Sequence, residues 1–157
     1  MVKRPIKIIK INSKDNNLIA ISKEIAKIEQ FFFNPPWSEK EILSSLQNDN
    51  YYFFTAFFNK EIVGYSSFNK ILNEGYINNI AVKSDFQNQK VGFDILNEMI
   101  LQAKKLSLSF LTLEVRKSNE KAIKLYSKLG FKIDGQRKDF YNNPTENGYI
   151  MTLKFNC

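Results

Sequence analysis

One stretch, FLTLEVRKSNEKAIKLYSKLGF at residues 110–131, constrains the fold more than any other part of the chain. It reads as a buried strand, an exit loop and an amphipathic helix halted by a glycine. Leu111, Leu113 and Val115 alternate as a strand requires, with an ionisable residue, Glu114, set among them. Ser118 and Asn119 are both good N-caps, since their short side chains can accept from an amide of the first helical turn. Ala122, Leu125, Tyr126 and Leu129 then fall on one helical face, and Gly130 suits the left-handed residue that ends a helix.

The rest of the chain supplies partners for this unit. Residues 6–11 read as an edge strand, and residues 16–31 as a helix with Leu18, Ile21, Ile25 and Ile28 on one face. Pro35 and Pro36 break that helix; Ser38 can cap a second one, with Glu41 as its capping-box partner. Residues 51–58 and 62–69 read as antiparallel strands around Asn59-Lys60, a turn without glycine. A more buried strand follows at 76–82, then a helix at 88–105, and strands at 131–137 and 148–155 close the set. The order β-α-α-β-β-β-α-β-α-β-β predicts one α/β domain over residues 1–157, with a mixed, mostly antiparallel sheet flanked by helices.

Histidine is absent, which removes the commonest general base and the commonest metal ligand. A proton-transfer enzyme of this composition must use a carboxylate, a tyrosine or a water, and no metal is expected. The only cysteine is the last residue, Cys157, so neither a disulfide framework nor a thiolate cluster is expected. No run approaches the ~18 consecutive apolar residues of a membrane span. No signal peptide opens the chain either, so the expected location is cytoplasmic, with no membrane partner. A net charge of +7 favours an anionic partner, although scattered lysines also fit a merely Lys-rich composition.

The loop between the strand at 76–82 and the helix at 88–105 is the second segment with chemistry. A loop that ends in a helix N-terminus presents free N–H groups and the positive end of a dipole, which suits a pyrophosphate.

Asn119, Ala122, Leu125, Tyr126, Gly130 and Phe131 match a recurring signature, Asn-x-x-Ala-x-x-Leu-Tyr-x-x-x-Gly-Phe. On it the chain resembles the GNAT acetyltransferase family, and the resemblance in element order spans nearly the whole chain. Within the family it is most similar to the bacterial ribosomal-protein-alanine N-acetyltransferases. Pro36-Trp37-Ser38, Asn79-Ile80-Ala81-Val82, Leu113-Glu114-Val115-Arg116, Arg137-Lys138-Asp139-Phe140-Tyr141 and Glu146-Asn147-Gly148-Tyr149-Ile150-Met151 carry that similarity. Phe140 and Asn147 depart from the branch's pattern in a loop that borders its peptide groove.

The resemblance implies acetyl-CoA as co-substrate. The backbone of Ile80, Ala81 and Val82 would be the rail for pantetheine and the source of oxyanion-binding N–H groups. Gln87, Asn88, Gln89, Lys90, Val91, Gly92 and Phe93 would cradle the pyrophosphate, with Asn119 and Tyr126 also at the cofactor. Lys90 replaces the first glycine of the family's loop, keeping the N–H and adding a cation but losing clearance. Glu114 is the implied general base, working through a water, and Tyr126 the implied acid. Read without the family, Glu114 is better taken as a surface or arginine-paired carboxylate on a strand end, and Tyr126 reads as an aromatic packing residue with its hydroxyl at the rim. Trp37, Tyr141 and Glu146 would line the acceptor groove, with Glu146 attracting a cationic N-terminus; Trp37 also reads as core.

The expected acceptor is a protein N-terminus, that of a ribosomal protein, used by a monomer or weak dimer with no direct nucleic-acid contact. Acetylation of a small amine or a lysine, an idle GNAT domain that only binds a partner, and a basic nucleic-acid-binding module are the alternatives.

Overall fold

The computed structural model describes residues 5–156. In chain order the elements are β1 (Ile6–Ile11), α1 (Leu18–Phe32), α2 (Glu39–Leu46), β2 (Tyr51–Phe58), β3 (Glu61–Ile71), β4 (Glu74–Val82), α3 (Val91–Lys105), β5 (Phe110–Arg116), α4 (Glu120–Lys128), β6 (Lys132–Tyr141) and β7 (Glu146–Lys154). A turn of 3-10 helix at Ser84–Phe86 lies between β4 and α3. The strands form one sheet in the order β1-β2-β3-β4-β5-β7-β6. Pairs β1/β2, β2/β3, β5/β7 and β6/β7 are antiparallel, and β4/β5 is parallel. The expected α/β fold and element order are therefore present. Cys157 lies outside the described residues.

The chain divides into two compact units, residues 1–70 with 78–99 and residues 71–77 with 100–157. In the first unit, the α1 stripe of Leu18, Ile21, Ile25 and Ile28 is buried with Ile42 and Leu46 of α2 and Phe53, Ile62, Tyr65 and Ala81 of the strands. The stripe exists because these residues recur at helical spacing, and Ile25 is fully enclosed. Ser38 caps α2: its Oγ accepts from Glu41 N at 3.1 Å while Glu41 Oε2 accepts from Ser38 N at 2.7 Å. The backbone bond from Ser38, then the hydroxyl, hold the Glu41 carboxyl below its usual range. The β2–β3 turn closes without glycine because Asn59 takes the left-handed conformation itself, at φ 56°.

In the second unit, Leu111, Leu113 and Val115 of β5 are buried with Leu108, Tyr126, Phe131 and Met151. Asn119 caps α4, accepting from Ala122 N at 3.2 Å, so the helix starts at Glu120 and Ser118 stays outside it. Gly130 ends it at φ 101°. Phe131 N donates to Tyr126 O and Gly130 N to Ser127 O, each at 3.0 Å, the two bonds of a Schellman stop. Gly75 on β4 is required by close approach: a Cβ there would lie 2.5 Å from Leu111 Cδ2. The β4/β5 ladder covers only Glu74, Gly75 and Tyr76 against Phe110, Leu111 and Thr112, although β4 itself continues to Val82.

Several boundaries differ from expectation, and three of them have a visible local cause. The helix expected from Asn88 starts at Val91, because Asn88 and Lys90 sit at φ 62° and 64° and cannot be helical. The strand expected to end at Arg137 runs to Tyr141 through an irregular register, and its partner starts at Glu146 rather than Gly148. Asp139 N donates to Asn147 Oδ1 at 2.9 Å across that hairpin, a side-chain tie that strand periodicity does not reveal.

Candidate active site

The second unit carries a cluster of ionisable groups at the carboxyl end of β5. Thr112, Glu114 and Arg116 share one face of the strand by its two-residue repeat. Thr112 is engaged lower down, donating to Met151 O at 3.2 Å and lying 2.9 Å from the Thr152 hydroxyl. Glu114 Oε1 is 3.4 Å from Arg137 Nε, and the carboxylate is solvent-accessible. That pairing is the one the residue read alone suggests. It engages one carboxylate oxygen at long range, and an exposed ion pair of this length is weak enough to rearrange.

Arg116 is the organiser. Its guanidinium donates to Pro144 O at 2.9 Å, Asn142 O at 2.8 Å and Glu146 Oε1 at 3.3 Å. The same planar group lies over the Tyr141 ring, 4.6 Å from its centroid. Glu146 Oε2 accepts from Ser118 N at 2.8 Å. Hydrogen bonding from the Ser118 side chain first, then from Arg116 and the Ser118 amide, keeps the Glu146 carboxyl below its usual range. Glu146 thus faces inward to Arg116 and the exit loop of β5, and its charge is compensated within the unit.

The two phenols are held protonated. Burial, then the Glu114 charge, push the Tyr141 phenol up to about 12 against the opposing pull of Arg116. Tyr126 is buried on the inner face of α4, and its phenol is raised further, mainly by burial with a smaller contribution from Tyr141. The unit therefore brings together an accessible carboxylate, Glu114, a half-buried phenol beside it, Tyr141, and a buried phenol, Tyr126. Asn119 has its side-chain oxygen turned to the α4 cap.

The first unit carries the expected anion loop. Gln87 Nε2 donates to Val82 O at 2.9 Å and Gln89 Nε2 to Asp85 O at 3.0 Å, so both glutamines brace the loop. Asn88 and Lys90 are exposed and left-handed, and Val91 is buried beneath them. Asp94 N donates to Lys90 O at 2.9 Å as α3 begins, and the amides of Val91 and Gly92 lie in the first turn, where a helix offers no intrahelical acceptor. Ala81 is buried and Ile80 and Val82 half-buried. Trp37 packs on the core of this unit.

Arg116 and Arg137 were not singled out from sequence. Arg116 had a signal, its place two residues after Glu114 on an alternating strand. Arg137 had none, because β7 lies between β5 and β6 in the sheet. Among the described residues, no group of three or more His, Cys, Asp or Glu could hold a metal ion. Among the same residues, no helix is long and apolar enough to cross a membrane.

The second unit thus holds an accessible carboxylate near two phenols that keep their protons. The chain belongs to the GNAT acetyltransferase family: the model of the Acetyltransferase (GNAT) family matches residues 22–131. It is 37% identical over 128 residues to the [ribosomal protein bS18]-alanine N-acetyltransferase of Escherichia coli K12, covering 80% of this chain and 86% of that protein. The enzyme of that name from Haemophilus influenzae is 32% identical over the same shares. The crystal structure of the ribosomal-protein-S18-alanine N-acetyltransferase from Escherichia coli superposes with a TM-score of 0.83 at 31% identity, over 98% of this chain and 96% of that one. Arabidopsis thaliana NAA60 in complex with acetyl-CoA also has a TM-score of 0.83, over 98% and 100% of the chains. At 15% identity that likeness concerns the fold alone.

Proposed function

We propose that the chain is an acetyl-CoA-dependent N-acetyltransferase acting on the α-amino group of a protein N-terminus, that of a ribosomal protein beginning with alanine, in the cytoplasm. The observation that carries this is the 37% identity extending over 86% of an enzyme named for that reaction. The chemistry of the β5 cluster supports it. An α-amine, with a reference pKa of ~7.7–8.0, is neutral for about a tenth of the time or more near pH 7, whereas a lysine at ~10.4 is almost wholly charged. A solvent-accessible carboxylate acting through a water is base enough for the former.

In this reading Glu114 takes, through a water, the proton that the attacking amine must lose. The amine nitrogen bonds to the acetyl carbonyl carbon, the carbon–sulfur bond breaks, and the Tyr126 phenol gives its proton to the departing thiolate. A phenol held above its ordinary range does this only as negative charge builds on sulfur, which protects it from ionising beforehand. Charge on the carbonyl oxygen would be met by N–H groups of Ile80, Ala81 and Val82, which lie beyond the last rung of the β4/β5 ladder.

The residue set fits the pyrophosphate of acetyl-CoA. Gln87 and Gln89 hold the loop, Asn88 and Lys90 turn it, and the amides of Val91 and Gly92 at the start of α3 supply donors. Lys90 occupies a left-handed position with its side chain exposed, so the glycine's geometry is kept and a cation is added. On the acceptor side, Tyr141 lies beside Glu114, while Glu146 acts through Arg116 to hold the β6–β7 hairpin.

The test is CoA-thiol release from acetyl-CoA with two peptides. One has a free N-terminal alanine; the other has that amine blocked and a lysine left open. Release with the first alone is the expected result. Release with the second alone would overturn the N-terminal acceptor, and release with neither would reduce the assignment to family membership.

A further inference from the structure

A carboxylate that the proposed chemistry does not use lies at the centre of the first unit. Glu29 is on the last full turn of α1 and is fully buried, as is Tyr65 of β3. The Tyr65 hydroxyl donates to Glu29 Oε1. Asn79 Nδ2 lies 2.9 Å from Glu29 Oε1 and 3.2 Å from Oε2, across 50 residues of sequence. Burial and then the neighbouring carboxylate hold the Tyr65 phenol far above its ordinary range, so it remains a donor. The Glu29 carbonyl also accepts from Phe33 N at 2.9 Å, closing the helix where the connection to Trp37 begins. Asn79 immediately precedes Ile80, Ala81 and Val82.

A buried carboxylate is an expensive way to fill a core, and an apolar side chain of similar volume is often as stable or more so. What it adds is direction: apolar contacts tolerate sliding, whereas two oxygens shared between fixed donors do not. Glu29 binds two segments that have separate jobs in the proposed reaction. One is the end of α1 that leads into residues 33–37, and the other is the stretch of β4 carrying the backbone rail.

Resting on that reading, we infer that Glu29 is a positioning residue for acetyl transfer, registering the end of α1 against β4 residues 79–82 through Asn79. Misplacement on the scale of an ångström is enough to cost a large factor in rate, so loss of this tie shows in binding and KM as well as in stability.

The experiment compares wild type with Glu29→Gln, Glu29→Ala, Asn79→Ala and Tyr65→Phe. Acetyl-CoA affinity is measured by calorimetry without acceptor, peptide KM by thiol release, and Tm by circular dichroism. Glu29→Ala and Asn79→Ala are expected to weaken acetyl-CoA binding and raise peptide KM about tenfold each, a modest fraction of what misplacement can cost. Glu29→Gln should recover most of that loss, since the Asn79 amide can rotate to meet it. Tyr65→Phe, which keeps the Glu29–Asn79 pair, should lower Tm with a much smaller effect on either constant. A lower Tm with unchanged affinity and KM in Glu29→Ala would overturn the inference. Should that variant not fold, unchanged constants in Asn79→Ala would do so. Wild-type enzyme that binds acetyl-CoA yet acetylates no alanine peptide would instead refute the proposed acceptor, and the calorimetric comparison would still judge Glu29.

Discussion

Glu29 and Glu114 show what environment makes of one side-chain type. Glu29 has no solvent contact and lies between two neutral donors, so its oxygens are fixed and unreachable. Glu114 stands on an open strand end, held only by a 3.4 Å contact to an arginine that is itself exposed. A group that must exchange protons with a substrate needs water, mobility and a weak partner. A group that must hold two elements in register needs the opposite. The contrast supports the roles proposed for the two residues, by the same logic through which paired carboxylates in one protein come to do different work.

The largest effects should come from breaking the reactive side. Glu114→Gln is expected to lower kcat by tenfold or more with acetyl-CoA affinity unchanged, since general base help is worth roughly 10²–10⁴ in rate. Tyr126→Phe should match it in kcat but cost a little stability, because the phenol is buried. Single-turnover thiol release measures both, and wild-type rates would remove these residues from the chemistry.

Stability should invert the ranking. Glu29→Ala leaves a tyrosine hydroxyl and an amide without their partner, each worth about 1–3 kcal/mol when buried. Glu114→Ala removes one long surface pair, a class whose median is ~0–1 kcal/mol. Urea unfolding at neutral pH should therefore show a large loss in the first and almost none in the second. Equal losses would end the comparison.

How much of this was legible before the structure depends on range in sequence. Ser38 with Glu41, Asn119 with Ala122, and Gly130 as the helix stop are all settled within four residues, and each is found where the pattern puts it. The Leu18–Ile28 spacing likewise announces its own buried face. Glu29 announces nothing: it reads as a polar position beside that stripe, and only Tyr65 and Asn79, 36 and 50 residues away, turn it into a core residue. Glu114 was visible as an ionisable residue in an apolar strand, but its Arg137 partner comes from β6, with β7 between the two strands. Glu146, expected to attract a cationic N-terminus, gives no local sign of its engagement with Arg116 and Ser118, which spans 30 and 28 residues. The lysines read as scattered do include three exposed ones on one helix, Lys121, Lys124 and Lys128 of α4. The α3 start was missed because the left-handed turn at Asn88 and Lys90 lacks its usual glycine.

The pH dependence sharpens the reactive side. Tyr141 and Tyr126 have raised pKa values, so both phenols stay protonated through neutrality and beyond the ordinary phenol value near 10. The kcat/KM profile should rise as the acceptor α-amine loses its proton, with a midpoint of about 8, and show no descending limb up to about pH 10. Stability runs the other way for Glu146. Its folded pKa is depressed, so its contribution is present above the unfolded value of ~4.3 and is lost as pH falls below it. Glu146→Gln should accordingly flatten the acid limb of a Tm-against-pH curve and leave its neutral region little changed in slope.

The smallest expected effect is at Lys90, where two terms of similar size oppose one another. A non-glycine residue in the left-handed region costs about 1–2 kcal/mol. Glycine there gives back roughly 0.5–1 kcal/mol through the greater freedom of the unfolded chain. Lys90→Gly should therefore raise Tm only slightly, by a few degrees at most on a scale of about 2–4 °C per kcal/mol. For acetyl-CoA, the variant gains clearance at the loop and loses an exposed cation beside a polyanion. An exposed charge acts strongly only when salt is low, so affinity should fall about threefold at ~0.01 M salt and converge with wild type by ~1 M. Tighter binding at every salt concentration would mean that clearance outweighs charge, and that the lysine is tolerated in this loop rather than used by it.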